Sequence, residues 1–537
     1  MEIVGKNFPT RRGWLVLALV AALMLFAITS GARLLTSATA QASEDPAPAD
    51  PALTTVAPAD AAPSDPALLP TVTPATETPT AVKNIVFILA DDLDTLTFEQ
   101  VSRLKALHAK GLTLRNMVVT DSLCCPSRTS ILRSQYVHNH QVVSNLMDSG
   151  GGWATFAKLG EEADCLPVWL HNAGIHTGFV GKYLNGYGED GDPTAIPAGW
   201  DTWFVPTTKS GMYRGYGYTV NDNGRLVSHA DGPKDFLSDV LIDESVDFIR
   251  NAQGPFYLQI NSTAPHDPAP VAKRHEKSDR SARIPRTRAF NARGEGEPKW
   301  RSHKRHISKK RMRSYDVYWR QRVRSTESIA DTVDAVTQTL QQTGKLDSTL
   351  IVVGSDNGFH VASRRLTPGK RTPYREDTVV PYVLIGPGIG AGTETAAMTS
   401  TIDLGPTFAE FLGAKVPDWT DGRSLVPLIA GTPDTPWRTG VLSKSLGESA
   451  FNDPDFQAFK PPSYHALRTN RWLYVEYKDG SRELFDRAVS PSEIDNVLKT
   501  TAPEIVADLS AHLHDLTTCA GATCRTADTW PEEATSG

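Results

Sequence analysis

Four oxygen-bearing side chains follow two apolar runs of the chain. Asp91 and Asp92 come directly after the first run, and Asp356 and Asn357 come just after the second. Adjacent carboxylates repel one another unless a cation lies between them. An isolated Asp-Asp pair is more often a helix cap or a turn, but the second pair in the same position favours a metal site. Oxygen ligands alone suit Ca²⁺, with Mg²⁺ as the alternative, better than zinc.

The most specific motif is Cys124-Cys125-Pro126-Ser127-Arg128, which has the form C-x-P-S-R that marks sulfatases. The chain resembles the type I sulfatases, the formylglycine-dependent branch of the alkaline phosphatase superfamily. Within them it is most similar to bacterial N-acetylglucosamine-6-sulfatase-like proteins and arylsulfatases. The resemblance also includes five further segments in the order of the family: Ala90–Asp92, Gly181–Asn185, Ala264–His266, Ser355–His360 and Gly369–Tyr374.

The resemblance implies hydrolysis of sulfate esters of sugars or aryl alcohols by an oxidised cysteine. A formylglycine-generating enzyme would convert Cys124 during maturation, and the gem-diol formed by hydration of the aldehyde would attack sulfur. A serine in this place would form a stable sulfate ester, whereas the second hydroxyl of a diol lets the intermediate collapse. The implied metal ligands are Asp91, Asp92, Cys124, Asp356 and Asn357.

The resemblance assigns roles to four further side chains. Arg128 would hold the modified cysteine in its hydrated form. Lys182 and Lys370 would neutralise charge on the sulfate and the leaving oxygen. His266 would donate a proton to the leaving alcohol or bind the sulfate. Candidate substrate contacts are Asn185 and His360.

The sequence departs from the common family pattern at two places, and each departure leads to a prediction. Residues 132–134 read Leu-Arg-Ser where many sulfatases have Leu-Thr-Gly, so we expect less efficient conversion of Cys124. Leu184 stands where many arylsulfatases have histidine, which narrows the resemblance to the N-acetylglucosamine-6-sulfatase-like subgroup. One of His138 and His140 either lines the pocket or packs in the interior.

The elements that position these residues are predicted from apolar periodicity. Residues 84–90 are a continuous apolar run, as in a parallel strand that is covered on both faces. Similar runs at 256–260, 349–353 and 379–385 predict further strands. Strands that alternate with helices predict an α/β fold with a large, mostly parallel central sheet flanked by helices. Ligands bind at the carboxyl ends of the strands of such sheets.

Two helices and a second sheet complete the predicted fold. The first helix follows residue 90, with apolar residues at 98, 101, 104 and 107, and the second has apolar residues at 329, 333, 336 and 340. Short runs near the C-terminus predict a small antiparallel sheet followed by a terminal helix at 503–516. Its predicted strands are 465–468, 472–477 and 483–485.

The N-terminal region predicts export. Basic residues precede an apolar run from Trp14 to Ser30, and segments of the A-x-A type follow, so residues 1–42 are predicted to be a signal peptide or an uncleaved membrane anchor. Residues 43–80 contain nine prolines and no aromatic residue, which predicts a disordered linker. The remaining predicted domains are a catalytic domain at 81–440 and a C-terminal subdomain and tail at 441–537.

Cysteine spacing and charge distribution add two expectations. Of the five cysteines, Cys519 and Cys524 are predicted to form a local disulfide, whereas Cys125 either pairs with Cys165 or stays reduced. Residues 273–324 contain 19 Lys or Arg against 5 Asp or Glu. This basic stretch either recognises a sulfated polysaccharide or is a solvated insertion. No nucleic-acid-binding module is visible.

Two other functions use the same residues differently. The first is a hydrolase of phosphonate monoesters or phosphodiesters, since related enzymes also use formylglycine. The second is an exported binder of sulfated glycans in which Cys124 remains a thiol. The full set of catalytic residue types disfavours the binder, because binding alone does not need them.

Overall fold

The structure is a computed structural model that describes residues 82–432, 436–446 and 461–531. All described residues belong to one compact unit, Thr71–Gly537. The predicted signal segment and linker lie outside the described residues. None of the helices that are described combines the length and the apolar character needed to cross a membrane. The division of the chain at residue 440 stays a prediction.

The large sheet has eleven strands in the order β11-β2-β10-β8-β1-β7-β3-β4-β5-β6, and β9 pairs with β2. Its centre, from β8 to β4, is parallel, as predicted. The strands are β1 (Asn84–Ala90), β2 (Leu112–Val118), β3 (His176–Gly181), β4 (Thr202–Pro206), β5 (Thr219–Asp222), β6 (Arg225–Ser228), β7 (Phe256–Asn261), β8 (Thr349–Ser355), β9 (Val379–Val380), β10 (Tyr382–Ile385) and β11 (Thr393–Ser400).

Helices cover both faces of this sheet. The helices are α1 (Thr95–Gln100), α2 (Ser102–Lys105), α3 (Cys124–Arg133), α4 (Val137–His140), α5 (Gly152–Lys158), α6 (Leu166–Asn172), α7 (Lys209–Arg214), α8 (Leu237–Asn251), α9 (Lys299–Ser302), α10 (Lys309–Gln342), α11 (Arg375–Thr378), α12 (Leu404–Phe411), α13 (Val426–Ile429), α14 (Pro503–Thr518) and α15 (Ala522–Ala527).

Strand β1 lies at the middle of the sheet, and all seven of its residues are buried. Val86 and Ile88 face the core formed with α8 and α10, whereas Phe87 and Leu89 face the core formed with α6 and α12. Full burial of such a side chain contributes about 1.5–3 kcal/mol. An apolar strand without polar alternation therefore requires both layers of helices.

The helix predicted after β1 is broken at Val101. Val101 has extended backbone angles (φ −86°, ψ 107°), so the segment forms α1, α2 and a 3₁₀ turn at Ala106–Ala109. All four predicted apolar residues are nevertheless buried. Their uniform spacing of three matches the 3.0 residues per turn of a 3₁₀ helix better than the 3.6 of an α-helix.

The strand predicted at 379–385 is also interrupted. Pro381, which has no backbone N–H, separates β9 from β10. Strand β10 runs antiparallel to both β2 and β8. The prediction of a mostly parallel sheet holds at the centre of the sheet. Antiparallel pairs occur here and at the other edge, where β5 pairs with β4 and β6.

The small C-terminal sheet is antiparallel, as predicted, with the order β12-β13-β14-β15. Its first strand was not predicted from the sequence; the strands are β12 (Gly440–Ser445), β13 (Tyr464–Thr469), β14 (Trp472–Tyr477) and β15 (Arg482–Asp486). Helix α14 packs on this sheet, and the predicted disulfide Cys519–Cys524 follows it. Cys125 and Cys165 are buried free thiols.

Candidate active site

The carboxyl ends of β1 and β8 bring the two predicted acidic pairs together. Ala90 and Ser355 are partners in the parallel register, so Asp91 and Asp356 leave the sheet side by side. The backbone N–H of Asp92 donates to Asp356 Oδ1 at 3.1 Å. Asp92 has a φ of 66°, a left-handed conformation that is uncommon for a residue with a side chain and that clusters at functional sites.

The three carboxylates form one buried oxygen cluster. One oxygen each from Asp91, Asp92 and Asp356 lies within 4.8 Å of the others, and all three residues are buried. Asn357 Oδ1 is also buried, and no residue that the structure describes donates a hydrogen bond to it. Buried acceptors without a donor are rare and costly. Three carboxylates with an orphaned amide oxygen fit a hard divalent cation.

Cys124 is the first residue of α3, which begins directly beside this cluster. Pro126 lies in the first turn, where its missing N–H breaks no intrahelical bond. The Cys124 thiol is completely buried, and its Sγ lies 3.3 Å from Asp91 Oδ1 and 3.8 Å from Asp92 Oδ1. The positive end of the α3 dipole therefore lies at the reactive position and favours an anion there.

Two buried lysines contact the groups around Cys124. Lys182 Nζ donates to Asp91 Oδ2 at 2.6 Å, and Lys370 Nζ donates to Asp92 Oδ1 at 2.6 Å and contacts Cys124 Sγ at 2.9 Å. Burial by itself lowers the pKa of Lys182, but the negative groups around it, of which Asp91 is the strongest, together raise that pKa well above its usual value. Lys182 is therefore charged, ready to contact an anion.

Arg128 lies one turn after Cys124 and connects the cluster to β3. Its Nε donates to Asp356 Oδ2 at 2.7 Å, and its Nη1 donates to the carbonyl of Lys182 at 2.8 Å. Burial disfavours the charged guanidinium, but Asp356 and Asp91 raise the pKa of Arg128 above its usual value. Arg128 thus holds the metal-ligand candidate Asp356 and the Lys182 backbone in place.

His266 lies at the entrance to the cluster. Its Nδ1 lies 2.8 Å from the carbonyl oxygen of Asp267, which only accepts hydrogen bonds, so Nδ1 carries a proton. Its Nε2 lies 3.9 Å from Asp92 Oδ2 and faces the reaction site. The imidazole stacks on Tyr213 with ring centroids 4.2 Å apart. A cavity of about 420 Å³ opens here, lined in part by Lys209, Tyr213 and His266.

The structure thus brings together the nine residues predicted as metal ligands or catalytic groups. Of the two weaker candidates, Asn185 lines a small cavity beside Lys182, and its buried Oδ1 has no hydrogen-bond partner among the described residues. His360 is bound through Nδ1 to Asp377 at 2.9 Å, a structural contact inside the protein.

His140 is buried in the interior, and His138 beside it is partly buried. His138 Nε2 lies 2.8 Å from the carbonyl of Cys519, and His140 Nε2 lies 2.9 Å from Ser130 Oγ. Burial lowers the pKa of His140 well below its usual value, so its ring is neutral. Of the two interpretations, the structure therefore favours packing.

Two residues at the site were not found by sequence reasoning. Tyr213, on α7, lies between His266 and Lys182, whose Nζ is 5.3 Å from the centre of the tyrosine ring. Arg322, on α10, is fully buried and donates to the carbonyl of Asp92 at 2.6 Å. The apolar pattern of α10 places position 322 on the buried face of the helix. A buried arginine needs hydrogen-bond acceptors, so the sequence did contain a signal for this residue.

Comparison with known proteins decides the family. The profile of the family "Sulfatase" matches residues 83–414. The chain belongs to the sulfatase family. The profile "N-sulphoglucosamine sulphohydrolase, C-terminal" matches residues 368–518. Human N-acetylglucosamine-6-sulfatase is 32% identical over 478 residues, which cover 82% of this chain and 86% of that protein. Sulfatases of this family hydrolyse sulfate esters, and this sulfatase is a sulfuric ester hydrolase.

Solved structures share the fold of this sulfatase. A protein in complex with its substrate D-glucosamine-2-N,6-O-disulfate has a TM-score of 0.69 at 19% identity, covering 83% of this chain and 99% of that one. A phosphonate monoester hydrolase from Silicibacter pomeroyi has a TM-score of 0.62 at 21% identity, covering 81% and 94%. At these identities the likeness concerns the fold, and it confirms the predicted alkaline-phosphatase-like class.

Proposed function

We propose that this sulfatase removes the 6-O-sulfate of an N-acetylglucosamine-type sugar, with Cys124 as the precursor of its nucleophile. The observation that carries this proposal is the position of Cys124 Sγ, buried between Asp91 Oδ1 at 3.3 Å and Lys370 Nζ at 2.9 Å. The human relative is an N-acetylglucosamine-6-sulfatase. That similarity supports the choice of sugar.

The surrounding side chains are suited to binding a sulfate monoester. Lys182 and Lys370 place two ammonium groups at the reactive position, where they would neutralise charge on the sulfate oxygens. The N-terminus of α3 adds its positive dipole end at the same place. These groups are buried, so water weakens their attraction for the sulfate less than it would on the surface.

His266 is placed to move a proton. Its Nδ1 proton is used in the hydrogen bond to Asp267, so Nε2 is the atom that exchanges a proton with the leaving oxygen. The stack on Tyr213 fixes the plane of the ring. Departure of an alcohol as the neutral molecule requires one proton, and Nε2 would donate it.

We propose Asp91, Asp92, Asp356 and Asn357 as ligands of Ca²⁺ in this sulfatase. A bound divalent cation would supply Lewis-acid polarisation of the sulfate. Oxidation of Cys124 to formylglycine by a formylglycine-generating enzyme would supply an aldehyde in place of the thiol. Arg128 contributes by fixing Asp356 through its 2.7 Å hydrogen bond.

We also propose that the sulfatase is exported through residues 1–42, either as a secreted protein or retained by that segment as a membrane anchor. The basic residues and apolar run of that segment support this proposal. Phosphonate hydrolysis is not favoured over sulfate ester hydrolysis, because the phosphonate monoester hydrolase shares the fold alone. Non-catalytic glycan binding is not favoured either, because binding alone does not need the full set of catalytic residue types.

The proposal is tested on full-length protein produced with and without a formylglycine-generating enzyme. Mass spectrometry of the peptide that contains Cys124 should show the aldehyde only after coexpression. The converted protein should release sulfate from N-acetylglucosamine-6-sulfate, and Cys124→Ala should release none. Protein from the culture that lacks the generating enzyme is the matched control.

Two results would contradict the proposal at different points. An unmodified Cys124 in both preparations, with full activity, would exclude formylglycine as the nucleophile. Converted protein that hydrolyses aryl sulfates but no sulfated amino sugar would retain the mechanism and refute the substrate.

A further inference from the structure

A group of basic residues on α10 and in the loop before it has no acidic partner in the part of the chain that the structure describes. We name Arg305, Lys309, Lys310, Arg311 and Arg313 the α10 basic face. All five are exposed, and within the described ranges no carboxylate lies within 4.0 Å of their charged groups.

Several other cations of the same stretch are paired, in contrast. Arg274 contacts Asp239 and Asp331, and Arg286 contacts Asp316 at 2.7 Å. The α10 basic face therefore keeps its positive charge uncompensated. The chain as a whole has a net charge of −6.

The position of these charges is unfavourable for the helix itself. Lys309, Lys310 and Arg311 occupy the first turn of α10, after the N-cap residue Ser308, and this turn has no acidic residue. The N-terminus of a helix carries partial positive charge, so cations there are destabilising. Residues that break such a local rule without compensation point to a function.

The exposed side of α10 leads from the basic face to the active site. Val317 on this side is 58% exposed. Gln321, one turn further on, donates to the carbonyl of Pro268 at 2.6 Å, in the loop that carries His266. At 1.5 Å per residue, Lys310 lies about 16 Å along the helix from Gln321. An extended chain of a few sugar units spans that distance.

We propose that the α10 basic face binds the sulfated polysaccharide whose sulfated end occupies the active site. The inference rests on the proposed function, and it adds a second contact region for a polymeric substrate. Lysine and arginine bind sulfate groups through charge-assisted hydrogen bonds. Such exposed contacts are screened by salt, so the added affinity falls as ionic strength rises.

The test compares two triple variants of the full chain. The variant Lys309→Ser/Lys310→Ser/Arg313→Ser removes three charges from the α10 basic face. The control removes three exposed lysines elsewhere: Lys415→Ser/Lys478→Ser/Lys499→Ser. Both change the net charge equally. Measurements are the binding of a heparin-type oligosaccharide and KM for that oligosaccharide and for the monosaccharide N-acetylglucosamine-6-sulfate, at low and physiological salt.

We expect the first variant to bind the oligosaccharide about tenfold more weakly at low salt, with KM for the monosaccharide unchanged. The control should behave as wild type with both ligands. Equal weakening in both variants, or no weakening in either, would overturn the proposal. So would tighter binding of duplex DNA than of the oligosaccharide.

Failure of the proposed function has a different signature. In that case wild-type protein releases no sulfate from the monosaccharide, whereas the binding measurement still decides whether the basic face holds the polymer.

Discussion

Arg322 is a buried cation that holds the backbone at Asp92, one of the proposed metal ligands. Its guanidinium donates to the carbonyl of Asp92 at 2.6 Å, to the carbonyl of Pro265 at 3.1 Å and to Asp94 Oδ2 at 3.1 Å. It also lies 4.1 Å from the centre of the Phe359 ring. Replacement by methionine keeps much of the apolar volume and removes every one of these hydrogen bonds.

The expected loss of stability follows from the burial of the pair. Arg322 is fully buried and the Asp94 side chain is 2% exposed. Removal of one member of a buried ion pair costs about 3–5 kcal/mol, because the other charge is left without a partner. In Asp94→Asn/Arg322→Met no charge is stranded, and Asn can still cap α1. The double variant should therefore lose less than the sum of the single losses, by about 1–3 kcal/mol.

The loss should depend on pH in a defined direction. Burial raises the pKa of Asp94 above its usual value, and Arg322 partly lowers it again. A carboxyl whose folded-state pKa is raised favours the folded state at low pH, and this contribution is lost as pH rises through the folded-state pKa. Removal of Arg322 raises that pKa further. The cost of Arg322→Met should thus be larger at about pH 8 than at about pH 5.

Urea unfolding of the wild type, both single variants and the double variant measures these values. Arg324→Met is the control on the same helix. Within the described ranges Arg324 donates only to the carbonyl of Ser278, and it is partly exposed. Strictly additive losses in the double variant, or a cost for Arg322→Met that does not vary with pH, would refute this account of the Arg322–Asp94 pair.

Two further predictions concern the site itself. Tyr213→Leu should lower kcat/KM for N-acetylglucosamine-6-sulfate about 10- to 100-fold by releasing the His266 ring, and Tyr213→Phe should retain most activity, because it keeps the stack; equal losses would instead implicate the hydroxyl. Addition of Ca²⁺ at about 100 times its Kd to chelator-treated protein should raise the unfolding free energy by about 2.7 kcal/mol. Asn357→Ala should reduce this gain, and an unchanged gain would exclude Asn357 as a ligand.

The parallel centre of the fold was predictable because its strands are apolar on both faces. Residues 84–90 and 349–353 have no polar alternation, and only a sheet covered by two helical layers buries them. The direction of β10 was not predictable, since an apolar run carries no information on strand direction. Strand β12 was missed because Ser443, Lys444 and Ser445 break the apolar pattern, yet all three are buried.

The burial of Lys444 shows why β12 could not be predicted from the sequence. Burial lowers the pKa of Lys444 to about 7, although Asp121 and Asp421 oppose this effect. Its backbone N–H donates to the carbonyl of Thr120 at 2.8 Å, so β12 is held against the loop that precedes Cys124. Sequence periodicity treats a lysine as exposed, and only the tertiary contacts reverse that expectation.

The residues of the site were accessible from the sequence because most of them lie in short contiguous motifs. Cys124 and Arg128 share one helix, and Asp91 and Asp92 share one strand end. Tyr213 and Arg322 belong to no such motif, and their contacts with His266 and Asp92 arise only when α7 and α10 pack near the strand ends. Side chains that support a site through long-range contacts have no local signature.

The charges of the buried cluster suit the site to an anionic substrate. Three carboxylates, Asp91, Asp92 and Asp356, are opposed by three cations, which are Arg128, Lys182 and Lys370. The cluster by itself is therefore close to neutral, which limits the cost of burying six charges. A divalent cation on the carboxylates would leave an excess of about two positive charges. A sulfate monoester gains negative charge on its leaving oxygen as the S–O bond breaks, so the excess would stabilise the transition state more than the ground state.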